Sequence, residues 1–363
     1  MGGREGSLEN MVSPDFWKNR RVAITGHTGF KGSWLSFWLL EMQAAVYGFS
    51  QAPETSPALF GQLDLASCLN HQLGDIRNTE QVQGWLQQSQ PDVLFHLAAQ
   101  PLVRRSYREP LLTWQTNVLG TLNVLEAVKT LDKPCALVIV TTDKVYENRE
   151  WIYAYREKDR LGGHDPYSSS KAATELAVAS WRASFFPAGS GVRIATARAG
   201  NVIGGGDWSE DRIVPDMIRA LSEEKPIAVR NPQAVRPWQH VLEPLSGYLQ
   251  LAEKLEQDEN PLWQSPFNFG PDASDFRSVK ELVEESLKSW AGTWQDQSDP
   301  AAPHEANLLN LTIEKARQQL GWQPRWNFNE AIEQTISWYR EVLKNRSNPV
   351  ELCREQIRRY VEA

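Results

Sequence analysis

The sequence predicts an α/β protein, with a doubly wound parallel β-sheet and a smaller, mostly C-terminal cap. Short apolar runs alternate with longer helical patterns between Arg21 and Arg198, which is typical of repeated βαβ units. From Asn201 onward this alternation fades, and prolines from Pro215 to Pro244 mark loops and short elements. The chain has 363 residues, of which 41% are hydrophobic, enough for a substantial core.

The apolar runs and helical patterns place the elements in order along the chain. We expect strands near 21–25, 45–50, 69–73, 92–97, 136–142 and 192–198. Helices are expected near 33–43, 79–88, 109–130 and 166–186. Asp165 and Pro166 open the last helix well, because Asp suits the N-cap and Pro suits the first helical position.

Composition and charge exclude several classes of protein. The chain carries 38 basic and 45 acidic residues without a Lys/Arg block, so we expect no nucleic-acid partner. It has neither a signal-like apolar stretch nor a long uninterrupted apolar run, so we expect a cytoplasmic protein without a membrane partner. The three cysteines lack CxxC spacing and the six histidines lack HxxxH pairing, so we expect no metal.

A glycine-rich segment follows the first expected strand and precedes the first long helix. It reads Gly26-His-Thr28-Gly29-Phe30-Lys31-Gly32, a GxxGxxG spacing. Glycines at a strand-to-helix turn let a pyrophosphate approach the backbone, and the helix N-terminus favours its negative charge. These residues predict a dinucleotide site and therefore a sheet of the Rossmann type. The chain then divides into an N-terminal extension (1–20), a dinucleotide-binding domain with the catalytic residues (21–200) and a mainly substrate-binding cap (201–363) with possible returns to the sheet.

The ends of the next two strands are less informative about the cofactor. No acidic residue ends the second strand, where the adenosine ribose is usually held, and Ser50 is the hydroxyl available there. This position does not decide between NAD and NADP, although the lack of an arginine argues mildly against a 2′-phosphate. Asp75 and Ile76 follow the third strand and either contact adenine or, in the case of Asp75, cap the next helix.

Five residues form a candidate catalytic cluster. Tyr167 and Lys171 are four residues apart on an expected helix, so they share one face, and we expect the ammonium to lower the pKa of the phenol. Thr142, Asp143 and Lys144 follow a buried apolar strand, and ligands in such sheets bind beyond the carboxyl ends of strands. The alternative for Asp143 and Lys144 is a surface turn with a solvated ion pair.

These segments resemble the extended short-chain dehydrogenases/reductases that act on nucleotide sugars. The resemblance covers nearly the full chain and rests on the glycine loop, Phe95–Ala99, Asn117, Tyr167 with Lys171, and Arg198–Asn201. Within that family the chain is most similar to the 4,6-dehydratases acting on CDP-glucose, through segments 26–34, 142–146, 200–208 and 236–244. Those acting on dTDP-glucose are less similar, because they carry Glu where Lys144 stands.

The resemblance implies an NAD-dependent enzyme that converts CDP-glucose to CDP-4-keto-6-deoxyglucose and water. Tyr167 would take the proton of the sugar 4-hydroxyl beside Thr142, Lys144 would remove the C5 proton, and Asp143 would protonate the departing 6-hydroxyl. Further contacts are implied for the cofactor at Leu97, Ala98, Ala99 and Asn117, and for the nucleotide sugar at Gln100, Asn201 and Arg236. A solvent-exposed loop position is the alternative for Arg236.

Two other functions and the assembly state stay open from the sequence. A nucleotide-sugar 4-epimerase would use Tyr167 and Lys171 without an acid/base pair at 143 and 144. A non-catalytic dinucleotide-binding protein would need neither the Tyr/Lys pair nor the acid/base pair. Segments 109–130 and 166–186 are long enough to pair across a two-fold axis, as related enzymes do, or each could equally be covered within one chain; we expect a homodimer.

Overall fold

The computed structural model describes residues 12–187, 189–299, 301 and 306–363; residues 1–11 of the expected N-terminal extension lie outside this range. The strands are β1 (Arg21–Thr25), β2 (Ala45–Ser50), β3 (Asn70–Leu73), β4 (Val93–His96), β5 (Cys135–Val140), β6 (Val192–Ala199), β7 (Val202–Ile203), β8 (Ile227–Val229), β9 (Val235–Arg236), β10 (Gln239–His240), β11 (Pro266–Phe269), β12 (Arg277–Ser278) and β13 (Trp294–Asp296).

The α-helices lie on both faces of the sheet and in the cap. They are α1 (Pro14–Trp17), α2 (Phe30–Glu41), α3 (Leu59–Gln62), α4 (Leu65–Cys68), α5 (Thr79–Ser89), α6 (Val103–Arg108), α7 (Pro110–Trp114), α8 (Gly120–Val128), α9 (Pro166–Phe185), α10 (Ile213–Ser222), α11 (Leu242–Gln257), α12 (Val279–Ser289), α13 (Phe328–Leu343) and α14 (Pro349–Glu362). Within the described ranges, none of these helices is long and apolar enough to span a membrane.

Seven parallel strands form the central sheet, in the order β11-β6-β5-β4-β1-β2-β3. The chain winds outward from β1 through β2 to β3, then returns to the other side of β1 with β4. This reversal confirms the doubly wound Rossmann-type fold. The edge strand β11 comes from the C-terminal half and pairs with β6, so that half does return to the sheet.

The six strands predicted from apolar runs all exist, and the helix predictions need two corrections. The helix after the glycine loop begins at Phe30 rather than at residue 33. The helix expected over 109–130 exists as a continuous helical run from Pro110 to Val128, but it is not regular, because a π-helical segment, Gln115–Leu119, lies between α7 and α8. The N-cap prediction is confirmed, since the Asp165 side chain accepts a hydrogen bond from the backbone N–H of Ser168 at 2.9 Å.

Aromatic side chains fill the core on both faces of the sheet. One face buries Trp17, Trp34 and, from the C-terminal region, Trp322, Trp326 and Trp338. The other face buries Phe49 stacked on Trp85, with ring centroids 5.2 Å apart. Strand β5 is buried along its whole length, so the residues that follow it are held on a rigid support at the carboxyl edge of the sheet.

Candidate active site

A single large cavity of about 1830 Å³ lies at the point where the sheet reverses, between the strand ends and the cap. Its size suits a dinucleotide and a second ligand together, since drug-sized pockets are about 300–1,000 Å³. Nearly all the site residues predicted from the sequence border it. They are Gly26, Thr28, Gly29, Phe30, Lys31, Gly32, Ser50, Asp75, Ile76, Leu97, Ala98, Ala99, Gln100, Thr142, Lys144, Tyr167, Lys171, Asn201 and Arg236. Asp143 and Asn117 lie behind the cavity wall.

The glycine loop is packed so closely that side chains are excluded at two of its positions. Gly26 has a φ of +78°, and a Cβ added there would lie 2.7 Å from the backbone nitrogen of Ala98. A Cβ on Gly32 would lie 2.1 Å from the carbonyl oxygen of Gly26. The loop thus brings bare backbone to the N-terminus of α2, a cradle that fits the pyrophosphate of a dinucleotide.

Hydroxyl and amide groups line the end of β2 where an acidic residue is absent. The Ser50 and Thr28 hydroxyls are 2.8 Å apart, and Thr28 also donates to the carbonyl oxygen of Gln51. The Gln51 side chain donates to Asp75 at 2.9 Å, and hydrogen bonds from Arg77 hold the pKa of Asp75 below its usual value. Asp75 does not cap the following helix, because Asn78 does so by accepting from the backbone of Gln81.

Asp143 and Lys144 form a short 3-10 turn directly after β5. The Asp143 side chain is completely buried; its Oδ1 accepts from the Thr142 hydroxyl at 2.9 Å and from Nζ of Lys144 at 3.2 Å. The other carboxylate oxygen, Oδ2, is buried without a hydrogen-bond partner among the described residues. A solvated surface turn is therefore excluded: Lys144 borders the cavity, and Asp143 lies directly behind its wall.

Tyr167 and Lys171 project from the first turns of α9 into the same cavity, both of them buried. Burial raises the pKa of Tyr167 to about 12, although the Thr142 hydrogen bond opposes the shift. Burial lowers the pKa of Lys171 to about 8, opposed by the charge of Glu175. The expectation that Lys171 makes the phenol more acidic is wrong for the protein alone, because loss of solvent outweighs every favourable charge around Tyr167.

Asn117 and Gln100 support each other through a buried network. The Asn117 side chain accepts from the backbone nitrogen of Gln100 at 2.8 Å and donates to the Ser170 hydroxyl at 2.9 Å. The Gln100 side chain donates to the Thr113 hydroxyl and the carbonyl of Leu102. Asn117 thus joins the strand-β4 loop to the helix that carries Tyr167, and its contact with the cofactor stays a prediction.

The predicted cap residues Asn201 and Arg236 border the cavity; Asn201 directly precedes β7, and Arg236 ends β9. The Oδ1 atom of Asn201 is buried without a hydrogen-bond partner among the described residues. Arg236 is only 8% exposed and donates to the carbonyl of Val235, so a solvent-exposed loop position is excluded. Both side chains are placed to meet a polar ligand in the cavity.

Comparisons with known proteins agree with this geometry. The family model described as GDP-mannose 4,6 dehydratase matches residues 23–335. The chain belongs to this family. The CDP-glucose 4,6-dehydratase of Salmonella typhimurium is 43% identical over 97% of this chain and 99% of its own length. A dTDP-glucose 4,6-dehydratase of Haemophilus influenzae is 26% identical over 88% of this chain and 97% of its own length.

Solved structures of related proteins share the fold. The epimerase Mth375 of Methanothermobacter thermautotrophicus superposes with a TM-score of 0.77 at 21% identity, covering 94% of this chain and 98% of that one. The dTDP-glucose 4,6-dehydratase of Bacillus anthracis, solved in complex with NAD, gives a TM-score of 0.73 at 21% identity, covering 91% and 99%. At these identities the likeness concerns the fold alone.

Sequence reasoning missed several arginines that border the cavity, among them Arg212. Arg212 borders the cavity at the start of α10 and donates to Asp207 at 2.8 Å. Burial and the charge of Arg212 together lower the pKa of Lys31 to about 7. The only sequence signal was that Arg212 follows the glycine-rich segment 204–206, because a separation of 181 residues from Lys31 hides their proximity.

Proposed function

We propose that this chain converts CDP-glucose to CDP-4-keto-6-deoxyglucose and water, with NAD as a resident cofactor. The observation that carries this proposal is that Lys144 borders the same cavity as Tyr167 and Lys171 and contacts Asp143, which lies directly behind the cavity wall. An oxidation at C4 needs only Tyr167 and Lys171, whereas removing water across C5 and C6 needs a further base and acid. The 43% identity to a CDP-glucose 4,6-dehydratase supports the same substrate.

The residues of the cradle suit NAD. Gly26, Gly29 and Gly32 offer backbone to the pyrophosphate, and Ser50 and Asp75 lie where the adenosine would be held. When bound, NAD supplies an acceptor for the hydrogen of C4 and returns it to C6. The protein's own groups supply the proton transfers.

Tyr167 acts as the base for the 4-hydroxyl. The Thr142 hydroxyl hydrogen-bonds Tyr167 and so favours the phenolate, as does the charge of Arg212. Lys171 lies one helical turn away, with Nζ donating to the carbonyl oxygen of Val140 at 3.3 Å. The resulting ketone acidifies the neighbouring C5 proton.

Lys144 and Asp143 then act as a coupled pair. Moving one proton across their 3.2 Å contact turns an ammonium and a carboxylate into an amine and a carboxylic acid. The neutral pair is the form that the elimination needs, since Lys144 removes the C5 proton and Asp143 protonates the departing 6-hydroxyl.

Substitution of Lys144 tests the elimination step. In Lys144→Ala, oxidation at C4 should proceed while product formation falls by about 10²-fold or more, the size expected for general acid–base catalysis. Reduced nicotinamide should therefore accumulate at 340 nm after CDP-glucose is added. The matched control is Lys133→Ala, because Lys133 also pairs with an aspartate, Asp92 at 2.6 Å, but lies outside the cavity. Unchanged turnover in Lys144→Ala would reject the proposed role.

Isotope labelling separates dehydration from epimerisation. With deuterium at C4 of CDP-glucose, the label should appear at C6 of the product. An epimerase would leave the label at C4, and a non-catalytic binding protein would leave the substrate unchanged. Tyr167→Phe should abolish hydrogen removal from C4 altogether, so near-normal activity in that variant would contradict its assignment.

We also propose that the protein is a homodimer. Leu111, Leu119 and Leu176 are 78%, 53% and 61% exposed, and they lie on the two expected pairing segments. Exposed apolar side chains on neighbouring helices favour association with a second copy. Leu176→Glu should shift the mass measured by analytical ultracentrifugation from dimer to monomer, while Leu343→Glu, an exposed leucine on α13, should not.

A further inference from the structure

A buried ion pair lies behind the catalytic cluster. Glu175 on α9 and Arg198 on β6 are joined by two hydrogen bonds of 2.9 and 2.8 Å, and each side chain is 2% exposed. Neither residue borders the cavity. A buried charge pair of this kind is costly unless all its hydrogen-bonding capacity is used, so its neighbours are informative.

The Glu175 carboxylate collects donors from two strands. Besides Arg198, it accepts from the Thr141 hydroxyl at 2.5 Å and from the Thr196 hydroxyl at 2.8 Å. Burial raises the pKa of Glu175, but Arg198 and these hydroxyls outweigh burial and hold the pKa below its usual value. Glu175 is therefore a charged anchor, and Thr141 is tied to it just before Thr142 and Asp143.

The Arg198 guanidinium extends the network to the other end of the same turn. It donates to the Tyr146 hydroxyl at 2.9 Å and to the carbonyl oxygen of Glu157 at 3.1 Å. Tyr146 in turn donates to Asn268 on β11 at 2.7 Å. Tyr146 directly follows the 3-10 turn Asp143–Val145, so this turn is fixed at both ends by one ion pair.

The same ion pair is also attached to the helix of the other catalytic residues. Glu175 lies one turn beyond Lys171 on α9, and Tyr167 lies one turn before Lys171. The Glu175–Arg198 pair thus connects the element that carries Tyr167 and Lys171 with the turn that carries Asp143 and Lys144. The ion pair adds to the direct contacts between these elements, the hydrogen bonds from Lys171 to Val140 and between Tyr167 and Thr142.

We propose that Glu175 and Arg198 are positioning residues. They fix the position of the turn Asp143–Val145, which serves the elimination, relative to α9, which serves the oxidation at C4. The inference rests on the proposed function, because it assigns the two steps to the two elements. Displacing a reacting group by about 1 Å can cost about 10²-fold in rate. Loosening the turn should therefore slow the elimination and spare the oxidation.

Three substitutions test this division. Thr141→Val and Tyr146→Phe each remove one hydroxyl that ties the turn to the ion pair. Thr196→Val is the matched control, since it removes a hydroxyl that donates to the same Glu175 carboxylate. Thr196 lies on β6, away from the turn and the cavity. The measurement is a single turnover of NAD-loaded enzyme with CDP-glucose, following 340 nm absorbance for oxidation and the 4-keto-6-deoxy product for elimination.

In Thr141→Val and Tyr146→Phe, elimination should slow by about 10- to 100-fold, and reduced nicotinamide should accumulate at a nearly unchanged rate. Thr196→Val should behave like the wild type at both steps. Urea midpoints should drop to a similar extent in Thr141→Val and Thr196→Val, because each loses one buried hydrogen bond, and further in Tyr146→Phe, which loses two.

A merely structural role predicts another pattern. Equal slowing of oxidation and elimination would overturn the inference while leaving the proposed function intact. So would a selective loss of elimination in Thr196→Val as large as that in Thr141→Val. A wild type that forms no 4-keto-6-deoxy product would overturn the proposed function and this inference with it.

Discussion

The glycine loop offers a sharp test, because two of its glycines are predicted to respond in opposite ways. A Cβ at Gly32 would lie 2.1 Å from the Gly26 carbonyl oxygen and 2.7 Å from Cα of His27. Both obstacles are backbone atoms, so no side chain can rotate away. A Cβ at Gly29 would lie 3.4 Å from the same oxygen, an ordinary contact, and Gly29 has a φ of −78° that alanine adopts.

The expected magnitude follows from these distances. To reach an ordinary contact the Gly32 backbone must move by about 1 Å, at a cost at the upper end of the roughly 1–3 kcal/mol typical of overpacking. The higher helix propensity of alanine offsets this loss of stability by about 1 kcal/mol at most. We therefore expect Gly32→Ala to lose at least about 2 kcal/mol of unfolding free energy. Gly29→Ala should change stability by less than about 1 kcal/mol and instead weaken NAD binding, because its methyl occupies the approach to the loop.

Urea unfolding and isothermal titration with NAD measure the two effects separately. Gly61→Ala is the control, since Gly61 lies in α3 with no atom within 4 Å of an added Cβ. It should keep NAD affinity and gain up to about 1 kcal/mol of stability. A Gly32→Ala variant as stable as Gly29→Ala would refute this account of the loop.

Three further outcomes follow from the structure. Glu243 is fully buried, and burial raises its pKa from 4.5 to about 7, so between these pH values it is protonated in the folded state and ionised in the unfolded state. The free energy of unfolding should therefore fall by up to about 3 kcal/mol as pH rises through this window. In urea titrations, Glu243→Gln should flatten this pH dependence. Thr142→Val removes a hydrogen bond that lowers the pKa of Tyr167, so the pH profile of C4 oxidation should move to higher pH, while Thr142→Ser should keep the wild-type profile. Arg354→Ala breaks an exposed ion pair with Glu41 at 2.7 Å and should cost no more than about 1 kcal/mol in thermal unfolding; a larger loss would mean that this pair holds α14 in place.

Local sequence signals predicted the sheet and most of the cavity, because parallel strands bring their carboxyl ends to one edge. The residues after β1, β4 and β5 could therefore be placed together without knowledge of side-chain packing. The π-helical segment between α7 and α8 could not be predicted in this way, since it places Asn117 against Gln100 and Ser170, two contacts that are distant in sequence. The error on Tyr167 has a related cause. A Tyr-xxx-Lys spacing specifies a neighbouring charge, whereas the pKa of Tyr167 is dominated by its burial in the folded protein.

The charges around the cavity explain how an acidic protein can hold anionic ligands. The chain has a net charge of −7, yet Lys31, Lys144, Lys171 and Arg212 all border one cavity. Asp143 and Asp207 each lie within hydrogen-bond distance of one of these four cations, so they offset part of this charge. The dinucleotide and the nucleotide sugar each bring a diphosphate, so their binding relieves repulsion among these cations. Lys31 is one of these cations, and its pKa is lowered to about 7. Their attraction is therefore local to the cavity, and affinity for CDP-glucose should fall with added salt less steeply than for a site on an open basic surface.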